Sequence, residues 1–175
     1  MSGASIVVDV DVVAAAGKLD KLNAALVNPK PLMSELGEYL LGSTKDRFKT
    51  MQAPDGTPWA PLKPSYLKAK KQNKGKILTL GGYLRGQMRW QPDGQDAVLI
   101  GSNRVYARIH QLGGTTSPHV IKPRTKKALA FNGLVLKSVR HPGSKIPARP
   151  FLGLSREDRQ EVTKRTIDWV GRQLK

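Results

Sequence analysis

Four prolines limit what the middle of this 175-residue chain can fold into. Residues 53–64, with the sequence APDGTPWAPLKP, place a proline every three or four residues. Because proline lacks a backbone N–H and fixes φ, this segment forms neither a regular helix nor an inner strand. We therefore predict an ordered series of turns here. A lysine-rich stretch follows, beginning as a short helix near Ser65.

Apolar residues at helical spacing predict helices on both sides of these turns. A short amphipathic helix is expected over residues 14–27, and a longer one from Pro31 to about Met51. The last helix starts after Ser155, a favourable N-cap, and docks through one apolar face. One stripe on the longer helix is expected to face the core: Leu32, Leu36, Leu40, Thr44, Phe48 and Met51.

Alternation and turn signals predict short strands. Residues 5–13 are rich in β-branched side chains and are predicted to form a strand with one solvent-exposed face. Residues 97–101 have the apolar character of a buried strand. Residues 128–131 and 134–139 flank Asn132-Gly133, the strongest two-residue hairpin signal. These strands, together with the helices, predict an α+β fold: a small antiparallel sheet packed with an early amphipathic helix and a C-terminal helix.

Glycine and polar residues punctuate the region between these strands. Residues 105–112 have helical spacing, and Gly113-Gly114 would end a helix there. Long basic loops are predicted at 115–127 and 140–149. No 20–50-residue repeat is present, so residues 1–175 are interpreted as one domain.

Positive charge is concentrated in one part of the chain. There are 30 Lys and Arg against 13 Asp and Glu, a formal charge of +17. Residues 97–156 contain no acidic residue but eleven basic ones. Such a segment presents a positive field to whatever it faces, either nucleic acid or an acidic protein.

Residues suited to catalysis or metal binding are few. The chain has no cysteine, which excludes disulfides, thiolate metal sites and a cysteine nucleophile. Its three histidines, His110, His119 and His141, stand at unrelated spacings without a metal-binding motif. The glycine pairs match neither a phosphate loop nor a dinucleotide fold. We therefore predict a protein that is not an enzyme and has no cofactor; a hydrolase that uses one of the histidines is the weakest alternative.

The beginning of the chain does not have the pattern of a targeting segment. The sequence MSGASIVVDVDVV lacks a basic segment and is interrupted by Asp9 and Asp11. No apolar run approaches the ~18 residues of a membrane span. We expect neither a signal peptide nor a membrane anchor.

Direct binding of nucleic acid is the alternative function that the charge favours. Nine cationic side chains are candidates for phosphate contacts: Lys68, Lys70, Lys71, Lys74, Lys76, Lys122, Arg124, Lys126 and Lys127. Aromatic residues make up only 6% of the chain, and no strand pair is rich in them, so base stacking is not indicated. A free basic nucleic-acid-binding protein and a basic face that meets an acidic partner both fit.

Five phrases in a fixed order are more specific than the charge. They are Arg47-Phe48 at a helix end, PDGTPWAPL at 54–62, ILT at 77–79 with GYL at 82–84, YARIHQLGG at 106–114, and PARPFLGLS at 147–155. In this order the chain resembles the phage virion morphogenesis family, the tail-completion proteins of Mu-like and related tailed phages. The resemblance extends over roughly residues 5–174.

The resemblance implies a structural subunit of the phage neck that completes the tail or joins head and tail. It implies a homo-oligomeric ring around the DNA channel, expected to be hexameric, in contact with other neck and tail proteins. The expected location is the virion neck or tail, and the host cytoplasm during assembly. Ring subunits meet head to tail through two different surfaces.

Two sets of residues are candidate contact sites on this reading. Trp59, Arg149, Phe151 and Leu152 either pack inside the chain at the entrance to the last helix or form part of a subunit interface. The cations of the 115–127 loop face either the DNA channel or an acidic partner: Lys122, Arg124, Lys126 and Lys127.

Overall fold

The structure, a computed structural model, describes residues 11–125, 127–131 and 133–175. The helices within these residues are α1 (Val12–Val27), α2 (Lys30–Thr50), α3 (Pro64–Ala69), α4 (Tyr83–Gly86), α5 (Ala107–Leu112) and α6 (Arg156–Gln173). The strands are β1 (Met88–Asp93), β2 (Ala97–Ser102), β3 (Gly114–Thr115), β4 (His119–Ile121), β5 (Leu129–Phe131), β6 (Leu134–Leu136), β7 (Val139–His141) and β8 (Lys145–Ile146). The α+β class is confirmed, as are the three long helices.

Strands pair in twos and do not form a larger sheet in the described part of the chain. The pairs are β1–β2, β3–β8, β4–β7 and β5–β6. In the β5–β6 hairpin, Leu129 lies opposite Leu136, so the predicted hairpin is confirmed. Asn132 of the predicted turn lies outside the described residues. In β4–β7, His119 lies opposite His141. The predicted small sheet is therefore a set of two-stranded ribbons.

The chain divides into two compact units. Unit 1 consists of residues 11–43, 89–101 and 154–175 among those described, and unit 2 of residues 44–88 and 102–153. The chain passes from one unit to the other four times. Neither unit is a continuous stretch of sequence, and the single-domain interpretation stays a prediction.

Helices form the interior of unit 1. Leu32 and Leu36, one turn apart on α2, are buried together with Trp169 of α6. Half-buried side chains from three helices surround them: Ala25, Met33, Val162 and Val170. The predicted apolar stripes of α2 and α6 thus meet, since residues four apart lie on one face of a helix.

A buried carboxylate fixes the beginning of α6. Ser155 Oγ accepts a hydrogen bond from the N–H of Asp158, and Asp158 Oδ2 accepts one from the N–H of Ser155, which completes a capping box. Asp158 Oδ1 also accepts hydrogen bonds from Tyr39 Oη (3.2 Å) and Ser43 Oγ (2.6 Å) on α2. Asp158 is 2% exposed, so these donors replace the water that it loses. The sequence predicted the cap but not its link to α2.

The β1–β2 hairpin is anchored to α2 by an indole. Trp90 Nε1 donates a hydrogen bond to Glu38 Oε1 at 2.7 Å. The ring lies directly over Gly37, where an added Cβ would stand 2.6 Å from Trp90 Cδ2. A side chain at position 37 would therefore displace the ring.

Two predicted strands differ from the structure. Of residues 5–13, those up to residue 10 lie outside the described residues, and Val12 and Val13 begin α1 because Asp11 Oδ1 caps it through the N–H of Ala14 (2.9 Å). The strand predicted as buried at 97–101 is β2, yet Leu99 is 49% exposed. A two-stranded ribbon leaves much of its surface to solvent.

The region from residue 105 to residue 149 also differs from its prediction. The helix expected from residue 105 begins at Ala107, and Val105 is almost fully exposed. Gly113, with φ +73, ends it as expected. The loop predicted at 115–127 contains β4, and the one at 140–149 contains β8. These strands form because segments distant in sequence pair with each other. Local sequence patterns do not reveal such pairing.

Candidate functional site

Arg149 joins two distant segments of unit 2. Its Nε donates to the carbonyl of Ala60 at 2.8 Å and its Nη2 to that of Pro61 at 3.1 Å. The residue is 7% exposed, and burial lowers the pKa of Arg149 from its usual value. Since an arginine remains charged even so, these two carbonyls replace water around a buried cation.

Aromatic rings pack beside this arginine. Phe48 of α2 lies 5.4 Å from the ring of Trp59, edge to face, and 5.4 Å from the ring of Phe151. Trp59 Nε1 donates to the carbonyl of Pro150 at 2.7 Å, so the indole serves both apolar packing and a buried hydrogen bond. Phe151 is 0% exposed and Trp59 4%.

Two side chains that the sequence did not single out hold the same segment. The side-chain oxygen of Gln111 accepts from the N–H groups of Phe151 (2.9 Å) and Leu152 (3.0 Å), and its amide nitrogen donates to the carbonyl of Leu152 (3.0 Å). Arg47 Nη1 donates to the carbonyl of Phe151 at 2.8 Å. Four backbone groups of an extended segment are thus paired without a strand partner. The signal available in advance was that Arg47 and Gln111 both lie within the ordered phrases.

Trp59, Arg149, Phe151 and Leu152 lie near one another inside unit 2. The first three are buried, and Leu152 is half-buried. Their polar atoms are occupied by partners of the same chain. The core interpretation describes them; a contact with a neighbouring subunit stays a prediction.

The predicted cations of the 115–127 loop lie elsewhere. Lys122, Arg124 and Lys127 are exposed, in the connection between β4 and β5. Lys126 lies outside the described residues. The side chains of Lys122, Arg124 and Lys127 are available to an external partner, unlike that of Arg149.

A large groove in unit 2 was not predicted. Its volume is about 1020 Å³. Three partly exposed tyrosines, Tyr66, Tyr83 and Tyr106, line it together with apolar side chains such as Leu80 and Ile146. Exposed lysines also line it: Lys63, Lys71 and Lys145. No acidic side chain is among the described residues that line it. The groove combines an apolar wall with positive charge.

Two titratable side chains at the groove, Lys70 and His110, are partly or wholly buried. Lys70 Nζ donates to the carbonyls of Asn73 (2.7 Å) and Lys76, and burial lowers its pKa. His110 is half-buried, and its Nδ1 has no hydrogen-bond partner among the described residues. Burial first, and then the positive charge of Arg149, lower the pKa of His110. A neutral imidazole is therefore favoured in the groove.

The other two histidines form a stacked pair. The ring centroids of His119 and His141 are 5.0 Å apart. His119 Nδ1 donates to the carbonyl of Ser117 (3.1 Å), and His141 Nδ1 accepts from the N–H of Gly143 (3.0 Å). Among the described residues no group of three or more metal-ligating side chains occurs. The pair thus links two strands and brings no carboxylate with it.

None of the helices in residues 11–125, 127–131 and 133–175 has the length and apolar character needed to cross a bilayer.

Comparisons with known proteins give one consistent result. The family model for phage virion morphogenesis matches residues 10–171 of this chain. A protein of Escherichia phage Mu, provisionally named capsid assembly protein G, is 31% identical over 148 residues, which are 82% of this chain and 80% of the relative. No solved structure matches the chain significantly.

Proposed function

Because the chain belongs to the phage virion morphogenesis family, we propose that it is a structural subunit of the phage neck. A part in virion assembly follows from the family itself. In the finer proposal, the chain completes the tail or joins head and tail as a ring, expected to contain six copies, around the DNA channel. It acts in the virion neck or tail after assembly in the host cytoplasm, in contact with other neck and tail proteins.

The extent of the family match carries this proposal. It includes 162 of the 175 residues, so both units belong to the matched region. The Mu relative is named for capsid assembly, a process of the same class. A structural subunit without catalytic activity or cofactor is the function that this class supports.

Exposed apolar side chains are consistent with assembly. Val105 is 95% exposed, Leu112 66% and Val135 72%. Val135 lies on the β5–β6 hairpin between Leu134 and Leu136, which are also exposed. Unpartnered hairpins of this kind associate readily with other chains. Subunit contacts in a ring would cover such surfaces.

Imaging of the neck tests the proposal. A phage that lacks this chain should yield heads and tails that are not joined, or unfinished tails, and the wild-type gene supplied in trans should restore joined particles. In cryo-electron micrographs of wild-type virions, density for the chain should form a ring in the neck. A complete neck that lacks the chain would overturn the proposal.

Contact of the basic loop with DNA is a second part of the proposal. Lys122, Arg124 and Lys127 are exposed and lie in the acid-free part of the chain. Phosphate contacts of this kind are sequence-blind and weaken with salt, log K falling by about 0.9 per neutralised phosphate against log salt. Replacing all three by serine should reduce that slope by about 0.9 for each phosphate that is no longer neutralised. Replacing Lys18 and Lys21 of α1 should leave the slope unchanged.

A free nucleic-acid-binding protein is the second candidate, favoured by the charge of +17. It differs from the neck subunit in a measurable way. It requires sequence-selective affinity that persists against competitor DNA, whereas a channel-lining subunit shows weak binding to any duplex. Competition binding with random and phage DNA separates the two.

A further inference from the structure

The basic groove of unit 2, lined by Lys63, Lys71 and Lys145, has a complementary surface on unit 1. We propose that the acidic turn of the β1–β2 hairpin, residues 93–96, enters the basic groove of a second copy of this chain. This contact is the head-to-tail joint of the ring, and the inference rests on the proposed ring assembly.

Charge is the first argument. Every copy adds +17 to an assembly, so a homo-oligomer accumulates repulsion unless its joints set carboxylates against cations. With 13 acidic residues against 30 basic ones, few carboxylates are available for this. Carboxylates that are exposed and have no partner in their own chain therefore determine where such a contact between subunits can form.

Most other carboxylates near the helices are already engaged. Glu35 pairs with Arg165 (3.3 Å) and Arg172 (3.1 Å) in unit 1. Asp55, on another exposed turn, accepts from the N–H of Thr57 at 2.9 Å. Glu161 pairs with Arg165 at 2.9 Å. Such groups would have to give up a partner to meet another chain.

The acidic turn is different. Asp93 and Asp96 are exposed, three residues apart, and no lysine or arginine occurs between residues 90 and 103. Within the described ranges, neither carboxylate has a hydrogen bond or an ion pair. Two like charges on one turn repel each other, and a cationic partner relieves that repulsion.

The hairpin also presents its turn in a fixed way. Gly94, with φ +69, makes the tight connection between β1 and β2. Trp90 on β1 is bonded to Glu38 and lies against Gly37, so the base of the hairpin is held on α2. A preorganised turn loses less conformational entropy on binding than a mobile loop.

The basic groove fits a turn of this chemistry. Its volume, about 1020 Å³, exceeds what a single side chain fills. Lys63, Lys71 and Lys145 are exposed, and within the described residues none of them has a hydrogen bond or ion pair with a side chain. The tyrosines of the groove offer hydroxyl groups and apolar faces to a backbone turn, as tyrosines at interfaces commonly do.

Charge reversal in two variants tests the contact. One carries Lys71→Glu and Lys145→Glu, so that its acidic turn meets two carboxylates at the groove, where only Lys63 remains of the three exposed lysines. The other carries Asp93→Lys and Asp96→Lys, so that both its turn and its groove are basic. Each alone should self-associate at least about tenfold more weakly than the wild type, because like charges face each other. Mixed in equal amounts, the two should recover assembly, because each turn then finds a groove of opposite charge.

Mass photometry and analytical ultracentrifugation at several protein concentrations measure these outcomes. Circular dichroism and thermal melting confirm that each variant is folded. The matched control carries Lys18→Glu and Lys21→Glu on α1, the same charge change outside the groove, and should assemble like the wild type.

Different results would overturn the proposed contact and the proposed function. If either variant alone assembles like the wild type, the inference is overturned. A mixture of the two that stays monomeric at every concentration tested also overturns it. Both results leave the neck location to be judged by imaging. A neck without this chain overturns the proposed function, whereas recovery of assembly by the mixture would still establish the contact between turn and groove.

Discussion

The 149–152 segment and the connection between β4 and β5 are both basic, and both were candidate contact sites. Arg149 of the first is 7% exposed and bonded to the carbonyls of Ala60 and Pro61. Lys122 and Arg124 of the second are exposed. The two regions differ in the partners of their cations. A buried cation needs hydrogen-bond acceptors from its own chain, whereas an exposed cation remains available to another molecule. Positive charge in a sequence therefore indicates two opposite roles, and burial decides between them.

Truncating the aromatic side chain at the centre of the 149–152 segment gives the largest expected effect. Phe151→Ala removes a ring that is 0% exposed and packs on Phe48, and it should lower the free energy of unfolding by about 3–5 kcal/mol. Urea denaturation measures the loss. A loss under about 1 kcal/mol would mean that Phe151 is not part of the core, and its interface role would gain weight.

Removing the buried cation comes next. Arg149→Met keeps much of the side-chain volume but leaves the carbonyls of Ala60 and Pro61 without donors, and it should cost roughly 3 kcal/mol of unfolding free energy. The matched change on the exposed side, Arg124→Met, should stay within about 0.5 kcal/mol. Equal losses in the two variants would contradict the comparison.

Acidification should reveal the contribution of His110, which is half-buried and accepts a hydrogen bond at its carbonyl from the N–H of Arg149. Its folded pKa is lowered by burial and by Arg149, so the unfolded chain takes up a proton first. Stability contributed by neutral His110 is present above the unfolded pKa of about 6.5 and is lost as the pH falls from there through the lower folded pKa. Denaturation between about pH 7 and pH 5 should show a shallower decline for His110→Gln than for the wild type. Identical slopes would show that His110 titrates normally.

The smallest effect on stability is expected in the basic loop. Replacing Lys122, Arg124 and Lys127 by serine, one at a time, should change the free energy of unfolding by less than about 0.5 kcal/mol each. Thermal melting under one set of conditions measures it. A larger loss from any one of them would mean that this cation has a partner in the folded chain, as Arg149 has.

Local signals predicted the helices well. Ser155 caps α6 as the sequence indicated, and β5 pairs with β6 in the predicted hairpin. The pairing of β4 with β7 was missed, because His119 and His141 are far apart in sequence and neither flanking segment alternates clearly. Register between distant strands depends on what the fold brings together.

The sequence identified only part of the candidate site, because contacts between segments distant in sequence leave no local signal. Trp59 and Phe151 were singled out from their ordered phrases, and both pack on Phe48. Gln111, which holds three backbone groups of residues 151 and 152, carries no pattern that announces this role. The basic groove was missed altogether, because it is formed by segments from residue 62 to residue 149.

The sequence by itself determined the helices, the turns, the excess of positive charge and the family. These properties depend on the spacing of neighbours, on proline and glycine geometry, and on a simple count of charges. The tertiary structure alone decided which cations are buried and which are exposed. Arg149 and Arg124 are the same residue type in the same acid-free stretch, and the carbonyls that surround Arg149 come from residues 60 and 61, far back along the chain. Chain folding creates that environment, and the environment determines whether a cation holds the fold together or faces a partner.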